Sequence, residues 1–267
     1  MIAITEPADP RLGDYRELRD PAARRRIEGA ELFIAEWPVA IERLLASPHS
    51  VRSVLLSEEK YARMAPLLAG RGITVYVAAR QVLREIVGFD LHRGAIAAAN
   101  RLPHPTLAEL LATSRRLAVL EGLNDPENLG AVARSARAFG IDGFVLDPTC
   151  IDPYTRRTVR VSMGEILFLP CARVAADDWP AGALAELGAA GFAAWALTPA
   201  PDAVDIWSLP VPPRLALLFG AEGPGLSAGA IEAAAARVRL PIASDVDSLN
   251  VAAAAACTFA IVGRVAR

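Results

Sequence analysis

The sequence predicts an α/β protein built of two units, the second carrying a mostly parallel sheet covered by helices on both faces. Three observations carry that expectation. Short apolar runs alternate with helical segments along the whole chain, as strand–helix–strand folds require. The length of 267 residues suits one large or two modest domains. The alternation breaks once, around Pro103 and Pro105, where a linker fits.

In the first unit, residues 1–22 are polar and broken by Pro7, Pro10 and Pro21, which predicts an extended lead-in. A helix is expected from Ala23, with Ile27, Ala30 and Leu32-Phe33-Ile34 as its apolar positions. A second helix is expected over Pro38–Ala46, where Val39, Ile41, Leu44 and Leu45 recur at helical spacing. Val51–Leu56 reads as a strand, Glu58–Ala69 as a helix stopped by Gly70 and Gly72, and Ile73–Val77 as a strand. Gln81–Val87 is a short helix and Ala95–Ala99 a last strand. The second unit repeats the alternation. Strands are expected at Leu117–Glu121, Gly143–Leu146, Phe192–Leu197, Leu215–Gly220 and Val238–Pro241. Helices are expected at Leu129–Phe139, Leu184–Ala190, Ala228–Ala236 and Asn250–Val265. The resulting boundaries are 1–105 for the first domain, 106–116 for the linker and 117–267 for the second domain.

Composition limits what such a protein does. Hydrophobic residues make up 53% and charged residues 22%, which excludes a disordered chain. A formal net charge of −2 argues against a polycation that coats nucleic acid in bulk. Among 28 cationic residues only Lys60 is lysine, and alanine is abundant, a bias of the kind a GC-rich genome produces. Arginine count alone is therefore a poor functional signal. Cys150, Cys171 and Cys257 form no CxxC pair, so neither a disulfide framework nor a zinc site is expected. The first residues lack a signal-peptide pattern, and the longest apolar run, Val251–Val262, is too short to span a bilayer. The expectation is a cytoplasmic protein with no membrane or metal partner.

Three strand-end loops of the second unit are rich in glycine and small polar residues. Open α/β sheets bind ligands outside the carboxyl ends of their strands, so a site is expected there. The first loop, Glu121 to Gly130, leads into a helix bearing Arg134 and Arg137; Gly130 permits close approach and a helix start favours an anion. Asn124 and Asn128 serve equally well as helix caps. The second loop, Phe219-Gly220-Ala221-Glu222-Gly223-Pro224-Gly225-Leu226, has three glycines and one acid but no P-loop Lys or Ser/Thr. A tight turn is its plainer reading. The third loop, Leu240 to Asn250, ends in Ser248, a natural helix cap, with Asn250 expected inside the first turn. Ala252–Ala256 then permits close packing of another backbone, in a threaded core or a dimer contact.

Taken in order, Asn128-x-Gly130-x-x-x-Arg134, Phe219-Gly220-Ala221-Glu222-Gly223-x-Gly225-Leu226 and Leu240-Pro241-Ile242 with Ser248-Leu249-Asn250-Val251 resemble the three motifs of the SpoU (TrmH-type) RNA ribose 2′-O-methyltransferases, of the SPOUT class. The resemblance covers roughly residues 117–267 and includes Arg160-Val161-Ser162-Met163-Gly164 with Leu169-Pro170 between the motifs. Ile242 stands where methionine is common, and Ser244-Asp245 where a glycine is frequent. The first unit is similar, less specifically, to the small ribosomal-protein-like α/β domain that precedes such catalytic domains and binds RNA.

The resemblance implies a deep trefoil knot, a homodimer and S-adenosylmethionine as cofactor. It assigns backbone contacts with that cofactor to Gly220, Leu240 and Leu249, with Thr198 a weaker candidate. Arg134 matches the family's essential arginine, and Asn128, Glu222, Ser248 and Asn250 match its polar neighbours. A guanidinium stays protonated at working pH, so Arg134 is better suited to clamp a phosphate and stabilise a developing alkoxide than to act as a base. RNA contacts are expected from Arg24, Arg25, Arg26 and Arg93, and from Arg156, Arg157 and Arg160 as a second basic cluster nearer the site. Two other functions fit the same class: methylation of a base nitrogen, and RNA binding in ribosome assembly without catalysis.

Overall fold

The computed structural model describes residues 1–29, 31–91 and 93–263, with the backbone alone for Pro21, Arg25, Arg26 and Glu28. The chain divides into two compact units. The first comprises Met1–Leu102 and Tyr154–Phe168, the second Pro103–Pro153 and Leu169–Arg267. A segment that sequence reading assigned to the second domain thus packs with the first.

The first unit begins with β1 (Ile2–Ile4), a 3-10 turn at Pro10–Tyr15 and α1 (Pro21–Glu28). Gly29, at φ +49°, follows α1, and Leu32–Glu36 is a strand, β2, where sequence reading continued the helix. The reason lies far away in the chain. β2 pairs antiparallel with Ala95–Asn100 (β5), and every one of its five residues is buried. Such burial leaves no alternation for a local pattern to show. Between them come α2 (Pro38–Ala46), β3 (Val51–Ser57), α3 (Glu58–Leu68), β4 (Thr74–Ala78) and α4 (Arg80–Val87). The strand order is β1-β4-β3-β5-β2; β1, β4 and β3 run parallel, while β5 opposes both its neighbours. Tyr15, Ile34, Leu55, Leu83 and Ile96 meet in one core, each worth about 1.5–3 kcal/mol for leaving water. The Tyr15 hydroxyl reaches Ser53 at 2.7 Å, so its polar end is satisfied inside that core.

The second unit opens with α5 (Leu107–Thr113), started by a capping box between Thr106 and Glu109, and continues with β6 (Arg116–Leu120) and α6 (Pro126–Ala138). Asp125 caps α6 by accepting from the Glu127 amide at 2.8 Å, so the helix begins earlier than expected, and neither Asn124 nor Asn128 is its cap. After β7 (Gly143–Leu146), the helix α7 (Arg156–Val161) lies in the segment that packs with the first unit. Then follow β8 (Cys171–Arg173), α8 (Ala181–Ala189), β9 (Ala193–Leu197), β10 (Val204–Asp205), β11 (Leu215–Phe219), α9 (Ala228–Glu232), β12 (Ala236–Arg239) and α10 (Val251–Val262). The short strands β8 and β10 carry too few residues for any periodicity. The expected helix to Ala236 stops at Glu232, because Ala236 and Val238 pair with β9.

All seven strands are parallel, in the order β10-β12-β9-β11-β6-β7-β8. Leu117, Val119, Val145, Ala216 and Leu218 line one buried layer with Leu184 and Leu187 of α8. On the other side α10 packs along α6, with Phe259 edge-on to Phe219 at 5.5 Å between centroids. Arg116, almost fully buried, donates to the carbonyls of Val262 at 3.2 Å and Pro213 at 3.0 Å, placing a cation at the carboxyl end of α10. No described helix is long and apolar enough to cross a membrane.

Within the first unit, α7 is held to β2 by charge. Glu36 is buried and accepts from Arg156 and Arg160, each at 2.6 Å, one on either carboxylate oxygen. Removing one partner of a buried ionic cluster leaves the others uncompensated, and partial exposure of the two arginines moderates the loss. Glu36→Ala should therefore cost about 2–3 kcal/mol, read as a lower midpoint in denaturant unfolding.

Candidate active site

Because all strands of the second unit run the same way, their carboxyl ends share one edge, where β6, β9, β11 and β12 each open into a loop. A cavity of about 400 Å³ lies there. Its walls come from Leu197–Pro199 after β9, from Phe219–Gly223 and Gly225 after β11, and from Leu240, Ile242 and Ser248–Val251 after β12. Gly220, Leu240, Leu249 and Thr198, the expected cofactor positions, all line it, as do Glu222, Ser248 and Asn250.

Glycine is required at the mouth of this cavity. A Cβ on Gly220 would sit 2.1 Å from the carbonyl carbon of Gly225 and 2.2 Å from the nitrogen of Leu226. Gly223 and Gly225 take φ of +89° and +71°, which L side chains rarely adopt. The Gly225 amide donates to the Ala221 carbonyl at 3.0 Å, closing a small turn with Glu222 exposed on it.

Asn250 organises the polar rim. It is the cap of α10, where sequence reading placed Ser248; its Oδ1 accepts from the amides of Ala252 at 2.9 Å and Ala253 at 3.3 Å. That fixes which end of the amide is oxygen, so its Nδ2 must face the other way as a donor. Nδ2 donates to Asn128 Oδ1 at 3.0 Å and to Glu222 Oε1. One residue from each of the three loops or helix starts thus meets in a single hydrogen-bonded group.

Arg134 is not part of that group. It lies six residues beyond Asn128 on α6, about 120° around the helix. Its side chain is exposed and has no hydrogen bond or ion pair among the described residues. Thr198 contributes main chain: its amide donates to the Val238 carbonyl at 2.9 Å, while its hydroxyl accepts from Ala200 at 3.3 Å.

The expected RNA-binding arginines lie in the first unit and divide into different roles. Arg24 is buried and donates to the carbonyls of Asp14 at 2.7 Å and Arg16 at 3.2 Å, so it holds backbone and offers no surface. The side chains of Arg25 and Arg26 lie outside the described residues. Arg93 is exposed, its guanidinium 5.3 Å from the Trp37 ring centroid. Arg160 lies 5.8 Å from the centroid of the same ring and Arg156 4.7 Å from that of Phe89, both still bound to Glu36. Arg157 is exposed. Arg156, Arg157 and Arg160 lie in the segment Tyr154–Phe168, which packs with the first unit.

Chemically, the cavity suits a small molecule that is neutral or cationic. Apolar walls from Leu197, Phe219, Leu240, Ile242 and Val251 face one carboxylate, and no Lys or Arg is among the described lining residues. A polyphosphate would find no counter-charge there. Sequence reading missed the contributions of Leu197 and Pro199, which look like ordinary strand-end residues in one dimension.

Comparison with known proteins agrees with this geometry. The model of the SpoU rRNA Methylase family matches residues 115–260. An uncharacterized tRNA/rRNA methyltransferase of Mycobacterium tuberculosis is 42% identical over 96% of this chain and 89% of its own. The 23S rRNA (guanosine(2553)-2'-O)-methyltransferase RlmP of Bacillus subtilis is 27% identical over 96% of this chain and 97% of its own. Among solved structures, an AdoMet-bound rRNA methyltransferase from Sinorhizobium meliloti superposes with a TM-score of 0.79 at 25% identity, covering 97% of this chain and 96% of that one. With its family segment spanning both the cavity and the hydrogen-bonded group at its rim, this chain belongs to the SpoU rRNA methylase family.

Proposed function

We propose that this chain transfers a methyl group from S-adenosylmethionine to a ribose 2′-hydroxyl of ribosomal or transfer RNA. The observation that carries the reading is the Asn128–Asn250–Glu222 group, set at a cavity with no Lys or Arg among its described lining residues. The residues fit that cofactor: one carboxylate and apolar walls suit a molecule of net charge +1, with an uncharged adenosine joined through a sulfonium to a zwitterionic amino acid. Main chain at Gly220, Leu240, Leu249 and Thr198 would hold it, since Gly220 leaves the backbone uncovered and the leucines supply flat apolar contact. When bound, S-adenosylmethionine supplies an electrophilic methyl group.

The protein's own side chains have to place and activate the hydroxyl. Arg134, exposed and unpaired among the described residues, clamps a phosphate beside the target ribose, and its positive charge stabilises the alkoxide as it forms. It stays protonated throughout. Asn128 and Ser248 orient the ribose by hydrogen bonds, while Asn250, whose amide is fully engaged, holds Asn128 in place and is itself fixed by Glu222. The exposed residues Ala253, Cys257 and Ala260 of α10 leave room for close helix approach, which supports a homodimer through this unit. The trefoil knot belongs to the same reading, supported by α10 lying along α6 and by the loop folded tightly at Gly220.

RNA reaches the first unit through few charges. The first 114 residues sum to +1 and the remainder to −3, so recognition relies on individual arginines and RNA shape. Arg93, exposed against Trp37, is the group best placed to take part, while Arg156 and Arg160 are engaged by Glu36.

The direct test incubates the protein with labelled S-adenosylmethionine and total RNA from cells lacking the gene, then maps the label on digested nucleosides. Label on a ribose oxygen is expected; label on a base, or none, defeats the reading. Arg134→Ala should keep the cofactor dissociation constant in calorimetry while methyl transfer falls by about a hundredfold or more. Arg134→Lys should stay poor, because the planar fork is lost. Gly220→Ala should abolish measurable cofactor binding, since its Cβ collides with backbone. Arg93→Ala should raise KM for RNA about three- to tenfold with unchanged cofactor affinity, measured by initial rates.

A further inference from the structure

The turn that carries Glu222 leaves β11 at Gly220 and enters α9 after Ser227. The sheet fixes its entrance. At its exit, where Leu226 packs into the core and the Ser227 hydroxyl caps α9, the backbone is also held by Glu121, the first residue beyond β6. Glu121 Oε2 accepts from the Ser227 amide at 2.8 Å, and Oε1 accepts from the Trp179 indole at 2.8 Å. Its own amide donates to the Phe219 carbonyl at 2.9 Å, so Glu121 grips the chain on both sides of the turn.

Glu121 stands on a rigid footing. The next residue, Gly122, donates its amide to Asp147 Oδ1 at 3.1 Å. Asp147 is buried and also accepts from the amides of Thr149 at 3.2 Å and Cys150 at 2.8 Å, and from the Thr149 hydroxyl at 2.7 Å. A Cβ on Gly122 would lie 3.1 Å from Cβ of Ala221, so the two loops are already in contact there. Asp147 thus holds the first loop, and Glu121 transmits that position to the second.

We propose that Glu121 is a positioning residue for methyl transfer, fixing the turn Gly220–Ser227 so that Glu222 meets the Asn250 amide. This rests on the reading of function given above. Glu121 is not among the residues lining the cavity; it acts through the main chain of the turn. Both of its oxygens face donors that cannot accept, a backbone N–H and an indole N–H, so a carboxylate is required where an amide of equal size would fit.

That chemistry supplies the test. Glu121→Gln turns one oxygen into an NH2 and sets donor against donor, while Trp179→Phe removes one of the two donors. In the full-length protein, E121Q should lower kcat about tenfold, with the KM for total RNA from cells lacking the gene little changed. The double variant E121Q/W179F should recover most of that loss, to within about threefold of W179F alone. Amide hydrogen exchange at residues 221–227 should accelerate in E121Q and slow again in the double variant. A role in general stability alone would instead make the second substitution add to the first. Full activity in E121Q, or no recovery in E121Q/W179F, overturns the proposal. A wild-type protein that methylates no ribose defeats the reading of function, and the exchange pattern then decides by itself whether Glu121 holds the turn.

Discussion

Everything chemical in the second unit depends on its seven strands running in the same direction. A parallel sheet delivers every strand's carboxyl end to one edge, so loops distant in sequence arrive as neighbours. Asn128, Glu222 and Asn250 span more than a hundred residues of chain, yet a single amide joins them. No local propensity could have brought them together. Hydrogen bonds across the sheet set their heights, and Gly220 then lets the second loop fold against itself where any side chain would collide.

The polar rim also shows how one residue can tie secondary structure to chemistry. The oxygen of Asn250 is occupied at the start of α10, which compels its nitrogen to point outward as a donor. The register of the helix and the orientation of a site group are therefore one fact. Asparagine is a mediocre helix former inside a turn but a strong cap, and its position before Val251 reflects that preference.

Much of this was legible in one dimension, for identifiable reasons. Strands such as Leu215–Phe219 announce themselves because a buried parallel strand is a continuous apolar run bounded by glycine. The glycine-rich loops were visible because few residue types permit such turns. What escaped detection depended on distant partners. Leu32–Glu36 continued a helical pattern until β5 claimed it, and Arg24 looked like one of three surface charges until Asp14 and Arg16 were seen to bind it. Glu121 gave no signal beyond its place in a polar loop, since nothing in its neighbourhood names Ser227 or Trp179. The cap of α10 went to Asn250 over Ser248, because two candidates only two positions apart are indistinguishable until the first helical amides are located.

The excursion of Tyr154–Phe168 into the first unit has a consequence for modularity. A single cut near Leu102 does not release a self-sufficient amino-terminal cassette, because β2 would lose the helix whose arginines satisfy Glu36.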